Sequence, residues 1–154
     1  MAANTDMETD GPARRAARAA TWELAPETPA AAHARALTAR ALRSWRVTDA
    51  TDVDDVVLMI DELVANAVVH GAPPVRLRLR LDGTCLVAEV TDADPAAPAR
   101  PCGQAPRWSE EGRGLLLVAA LATAFGCRPD PPGKVVWFTR VLRGVNGHRP
   151  ASAL

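Results

Sequence analysis

From Val75 to Leu81 apolar and basic residues alternate without interruption, Val-Arg-Leu-Arg-Leu-Arg-Leu. A period of two sets successive side chains on opposite faces of a strand, so one face is expected to be buried and Arg76, Arg78 and Arg80 to face solvent. Asp82-Gly83 follows as a hairpin signal, and a second strand over residues 85–91 ends on Asp92. Further strands are predicted at residues 20–24, closed by Pro26, and near residues 125–128 and 135–142, which flank a Pro131-Pro132-Gly133 turn.

Other segments repeat at helical spacing. Residues 29–45 place Ala32, Ala36, Leu37, Ala41 and Leu42 near one face, with Arg35, Arg40 and Arg43 available for the other. Thr28 before Pro29 predicts a cap followed by proline at the first helical position. Thr51 or Asp52 is the predicted cap of a second helix, whose stripe of Val53, Val56, Val57, Ile60, Leu63, Val64 and Ala67 stops at Gly71 and the prolines at 73 and 74. Residues 112–123 are predicted to form a third helix. A hairpin, a helix and another hairpin, preceded by amphipathic helices, imply the α+β class. The expected architecture is a two-layer α/β sandwich, with a mixed, mostly antiparallel sheet covered on one face by helices. The sequence lacks both regular strand-helix alternation and a GxxxxGK[ST] loop, which argues against a doubly wound sheet and sets Walker-type ATPases aside.

A chain of 154 residues suits one domain that folds without metal or disulfide support. Residues 1–18 hold small, acidic and arginine residues and almost no large apolar side chain, so they are expected to be a disordered leader. Residues 144–154 are expected to be a flexible tail, which leaves 19–143 as the domain. Between Asp92 and Gly112, Pro95, Pro98, Pro101, Gly103 and Pro106 predict a long irregular loop of the kind that serves as a lid. The 18 basic and 18 acidic residues cancel, so no overall field favours DNA or an anionic membrane, and neither is an expected partner. Cys85, Cys102 and Cys127 show neither metal-site spacing nor the pairing of a secreted scaffold, which fits a reducing, cytoplasmic setting. No apolar run approaches the ~18 residues needed to cross a bilayer.

Three short pieces could carry chemistry. Glu62 and Asn66 are four apart, so a helix projects both from one face beside the apolar stripe. A solvated pair is the plainer alternative, and the adjacent Asp61 could be the solvated carboxylate instead. Asp92, at the end of an apolar strand, could accept a hydrogen bond from an adenine amino group or close an Asx turn. Gly112 and Gly114 bracket Arg113 at a helix start, where missing Cβ atoms and free N–H groups suit a phosphate. A plain loop-to-helix junction has the same pattern, and Arg113 could contact phosphate or face solvent. His33, His70 and His148 form no ligand constellation.

Taken in order, these pieces resemble the GHKL, or Bergerat-fold, ATPases, and among them the small bacterial anti-sigma-factor serine/threonine kinases of the RsbW and SpoIIAB type. The likeness covers most of residues 20–142: Trp22-Glu-Leu24, Glu62-Leu-Val-Ala-Asn66 running on to His70-Gly71, Val90-Thr-Asp92-Ala-Asp94-Pro95, Gly112-Arg-Gly114-Leu-Leu, and Gly133-Lys134-Val-Val-Trp137. It implies that Glu62 is a general base toward a protein serine or threonine, that Asn66 holds Mg²⁺ against the ATP phosphates, and that Asp92 binds adenine. Gly112, Arg113 and Gly114 fall on the phosphate side. Two positions depart from the pattern: Asp92-Ala-Asp94-Pro95 stands where sensor histidine kinases show DxGxG, and Val135 stands where relatives often carry a threonine near the adenine. A valine has no hydroxyl to offer, so weaker nucleotide binding is expected.

The resemblance further implies ATP and Mg²⁺ as cofactors, a sigma factor and an anti-sigma-factor antagonist protein as partners, and homodimerisation. The expected function is an ATP-dependent serine/threonine kinase that phosphorylates the antagonist and so controls the sigma factor. The alternative is a nucleotide-dependent protein-binding module without kinase activity.

Overall fold

The computed structural model describes residues 17–25, 29–94 and 113–147. Along them run β1 (Arg18–Leu24), α1 (Ala30–Ser44), α2 (Ala50–His70), β2 (Val75–Asp82), β3 (Cys85–Asp92), α3 (Arg113–Leu121), β4 (Ala124–Asp130) and β5 (Gly133–Val141). The strands form one five-stranded sheet in the order β1-β2-β3-β5-β4. All its neighbouring pairs are antiparallel, so the expected predominance of antiparallel pairing is complete.

β2 carries out its alternation residue by residue. Val75, Leu77, Leu79 and Leu81 are buried while Arg76, Arg78 and Arg80 are exposed. Gly83, at φ 60, opens the tight turn between the paired Asp82 and Cys85, a position that favours glycine because a Cβ is strained there. The resulting register sets Leu77 beside Val90 and Leu79 beside Ala88, and Ala88 beside Phe138. The centre of one sheet face is therefore apolar, and the helices cover it: Ala34 and Leu42 of α1, Met59, Ile60 and Val64 of α2, and Val118 of α3 join the same core. Leu42, Met59, Ile60 and Phe138 are 0% exposed, and each contributes roughly 1.5–3 kcal/mol by leaving water.

Several element ends differ from expectation. Pro29 occupies the N-cap of α1 rather than its first turn, and Thr28 lies outside the described residues. The N-cap of α2 is Asp49, not Thr51 or Asp52; its carboxylate accepts the Asp52 N–H at 2.9 Å. Asp52 has another task. Its side chain is buried, with Oδ1 accepting from Arg140 Nη2 at 3.2 Å and Oδ2 accepting the N–H groups of Arg143 at 2.6 Å and Gly144 at 3.2 Å. Arg140 also reaches Asp55 Oδ2 at 2.8 Å and donates to the Leu121 carbonyl at 3.0 Å. One cluster thus fastens the start of α2, the exit of β5 and the end of α3.

The domain also reaches into both segments expected to be disordered. β1 begins at Arg18, whose guanidinium donates to the Trp45 carbonyl. Beyond β5, Gly144 O accepts the Thr48 N–H at 2.8 Å, Asn146 N–H donates to Arg46 O at 2.9 Å, and Val145 pairs with Val47. These bonds stitch residues 144–146 to the connection between α1 and α2. Cys85 is a free thiol, whereas Cys127 is disulfide-bonded, a state that the cysteine spacing did not indicate. Among the described residues no helix is long and apolar enough to cross a membrane.

Candidate nucleotide site

With about 100° of rotation per residue, Glu62 and Asn66 share one flank of α2, bordering its buried arc. Both are half-buried, and neither has a hydrogen-bond or ion-pair partner among the described residues. Asp61 turns the other way and pairs with Arg35 of α1 at 3.5 Å. The two neighbouring carboxylates are thereby distinguished: Asp61 is the solvated ion-pair partner and Glu62 the uncommitted group. α3 packs against α2, and its final carbonyl shares Arg140 with the first turns of α2. The end of α3 therefore lies near the first turns of α2, and Arg113 and Gly114 begin the helix. Its first N–H groups lack intrahelical partners, as a phosphate-side role requires. Gly112 and the proline-rich segment from Pro95 onward lie outside the described residues.

Asp92 ends β3 at 3% exposure. Its Oδ1 accepts the Asp94 N–H at 2.8 Å, closing an Asx turn, while Oδ2 lies 3.5 Å from Lys134 Nζ. The turn and the acceptor role are compatible, because the turn uses one oxygen and Oδ2 retains lone pairs. Two glycines make room for this carboxylate and its backbone. A Cβ on Gly71 would fall 2.6 Å from Asp92 Cγ and 2.5 Å from the Ala67 carbonyl, and one on Gly133 would fall 1.8 Å from the Asp92 carbonyl oxygen. Ala93 N–H also donates to Ala72 O at 2.8 Å. The last turn of α2, the end of β3 and the start of β5 converge at Asp92.

Replacing Gly71 with alanine is expected to push the Asp92 carboxylate aside and cost about 1–3 kcal/mol, the usual penalty of overpacking, read by urea denaturation. An unchanged denaturation midpoint would show that the contact is slack.

Sequence reasoning missed Lys134 as the partner of Asp92. The two residues face each other only because β3 pairs with β5, a contact between sequence-distant strands. The same register corrects the reading of Val135. Asp92 stands opposite Lys134, whereas Val135 stands opposite Thr91 and, on its other side, Arg128. Strand alternation turns Val135 to the sheet face away from Asp92, so its missing hydroxyl removes no bond from the site. Val135→Thr is expected to leave ATP affinity within about twofold of the parent by calorimetry, as substitutions away from a site do. A large gain in affinity would place this side chain at the ligand.

Residues 24–140 match the model of the histidine kinase-like ATPase domain. The chain belongs to this family. The match contains Glu62, Asn66, Asp92, Gly112, Arg113, Gly114 and Lys134, and a histidine kinase-like ATPase domain implies ATP as ligand. Among solved structures, this ATPase domain is similar to the crystal structure of the RsbU and RsbW domains of Rv1364c from Mycobacterium tuberculosis, at 24% identity and a TM-score of 0.62. The alignment covers 89% of this chain and 34% of that one, so the chain spans about a third of its length. The likeness establishes the GHKL-type α+β fold. No curated protein matches the chain.

Proposed function

We propose that this histidine kinase-like ATPase domain protein is a regulatory serine/threonine kinase of the anti-sigma type. It would phosphorylate an anti-sigma-factor antagonist and thereby control the availability of a sigma factor. The observation that carries the reading is the uncommitted, half-buried Glu62 one turn from Asn66, on the helix whose end packs against Asp92. Asp92 Oδ2 accepts from the adenine amino group, and the start of α3 at Arg113 and Gly114, together with Gly112, takes the phosphates. Glu62 accepts the proton of the partner's serine or threonine hydroxyl as its oxygen attacks the γ-phosphorus, and the bond to the leaving ADP breaks.

The described residues contain no cluster of three or more His, Cys, Asp or Glu able to cage a metal. Mg²⁺ is commonly held by one or two protein groups plus substrate phosphates. Asn66 fits this part, since its amide oxygen has no partner among the described residues. When bound, Mg²⁺ would neutralise charge on the phosphates.

A binding module without transfer is the alternative, and Val135, on the sheet face opposite Asp92, lends it no support. The test is incubation of the native chain with a cognate antagonist and ATP radiolabelled at the γ-phosphate. Label on a serine or threonine of the antagonist is the expected outcome. Saturable ATP binding without any labelled protein would instead assign the binding module.

A further inference from the structure

Lys134 carries a largely enclosed charge with a single partner. Its side chain is 14% exposed, and its ammonium stands 3.5 Å from Asp92 Oδ2, its one ion-pair partner among the described residues. That separation exceeds the ~2.7–2.9 Å of a charge-assisted hydrogen bond, so the two groups are apposed without being clasped. The sheet offers no second acceptor. β4 sets Pro129 beside Lys134, and the next residues along the same face of β3 and β5 are Val90 and Val136. The backbone beneath the lysine is fixed by its pairing with Asp92 and by Gly133, which lies against the Asp92 carbonyl. An ammonium has three N–H donors, and enclosure makes each unmade bond costly.

We propose that Lys134 reads the nucleotide base together with Asp92, donating from Nζ to the ring nitrogen N1 of adenine while Asp92 Oδ2 accepts from the neighbouring amino group. The inference rests on the nucleotide reading above and adds the residue that selects the base. Adenine carries a donor, its 6-amino group, directly beside an acceptor, N1. The protein presents the complement, an acceptor beside a donor, with Oδ1 taken by the Asx turn. Because Oδ2 and Nζ stand 3.5 Å apart, each is free to bond a different atom of the ligand. Guanine reverses the order: its O6 would face the carboxylate and its N1–H the ammonium, so like meets like at both positions. A phosphate would satisfy the ammonium but set its own charge against Asp92 Oδ2, whereas the uncharged base edge suits both groups.

The test uses the full chain, calorimetry and four nucleotides with Mg²⁺: ATP, GTP, 1-deaza-ATP, in which a C–H replaces N1, and purine riboside triphosphate, which lacks only the amino group. The parent is expected to bind ATP at least about tenfold more tightly than 1-deaza-ATP or GTP, the effect of leaving a charged donor unbonded. Lys134→Met keeps the length of the side chain without its charge or donors. In this variant ATP is expected to weaken until it and 1-deaza-ATP bind within about twofold of each other, as when two changes remove the same contact. The preference for ATP over purine riboside triphosphate is expected to persist in both proteins, because Asp92 still accepts. Equal binding of ATP and 1-deaza-ATP by the parent would overturn the assignment of Lys134 while leaving the nucleotide site intact. So would an undiminished preference for ATP over 1-deaza-ATP in Lys134→Met, or a gain in ATP affinity there, which would make the lysine an obstacle to the base. Loss of the amino-group preference in Lys134→Met would show a displaced Asp92 and reduce the lysine to a structural part. Absence of ATP binding by the parent would overturn both readings.

Discussion

Replacing Glu62 with glutamine is expected to lower phosphate transfer by about 10²–10⁴-fold, the usual contribution of a general base. Glutamine keeps the shape and the hydrogen-bonding oxygen but has no basicity near neutral pH, so positioning survives and proton removal does not. Stability is expected to change by no more than about 0.5 kcal/mol, because the carboxylate is half-buried and breaks no described ion pair on replacement. ATP affinity is expected to persist, which separates a lost chemical step from a lost ligand. Asp61→Asn is the matched control: its carboxylate belongs to Arg35 at the α1 interface, so transfer is expected to continue at the parent rate. Full transfer by Glu62→Gln, or loss of transfer in Asp61→Asn alone, would reassign the base.

Asp52→Ala is expected to destabilise the fold by about 3–5 kcal/mol, the cost of breaking a buried ion pair by removing one partner. Asp52 is 0% exposed and Arg140 7% exposed, so water can replace little of what is lost. The substitution strips Arg140 of one carboxylate and the backbone N–H groups of Arg143 and Gly144 of their acceptor. Among the described residues Arg140 Nε already has no partner, so of these the guanidinium would keep only Asp55 and the Leu121 carbonyl. Asp55→Ala is expected to cost less, since that carboxylate is 22% exposed and can be replaced by water. Equilibrium urea denaturation reads both, and a loss below about 1 kcal/mol for Asp52→Ala would mean that solvent enters the cluster.

The legible parts of this protein are those governed by local physics. The alternation of β2 declares a half-buried strand because its period needs no distant partner, and the hairpin follows from Asp82-Gly83 alone. The stripe of α2 likewise places Glu62 and Asn66 beside its buried arc. What escaped reading depends on pairing between remote segments. Asp52 looks like a helix cap, since an acidic residue near a helix start ordinarily is one; its buried role requires Arg140 and the turn after β5. Lys134 looks like one half of a Gly-Lys turn until β5 lies beside β3. Val135 appears near the ligand because it follows that pair, and only the register shows that it faces away. The predicted leader and tail fail at their inner ends for the same reason: Arg18 and Val145 gain order from partners that composition does not reveal.

The proposed function requires that Asp92, packed between Gly71, Gly133 and Lys134, receives a nucleotide base. Isothermal titration of the full chain with Mg²⁺-ATP, with thermal unfolding read on the same samples, tests it most directly. The expected result is saturable binding and a rise in melting temperature, since a ligand that prefers the folded state must stabilise it. In Asp92→Asn the affinity is expected to fall by roughly tenfold or more, as for a lost charged hydrogen-bond acceptor. Absence of binding heat and of any thermal shift at saturating Mg²⁺-ATP, or undiminished affinity in Asp92→Asn, would contradict it.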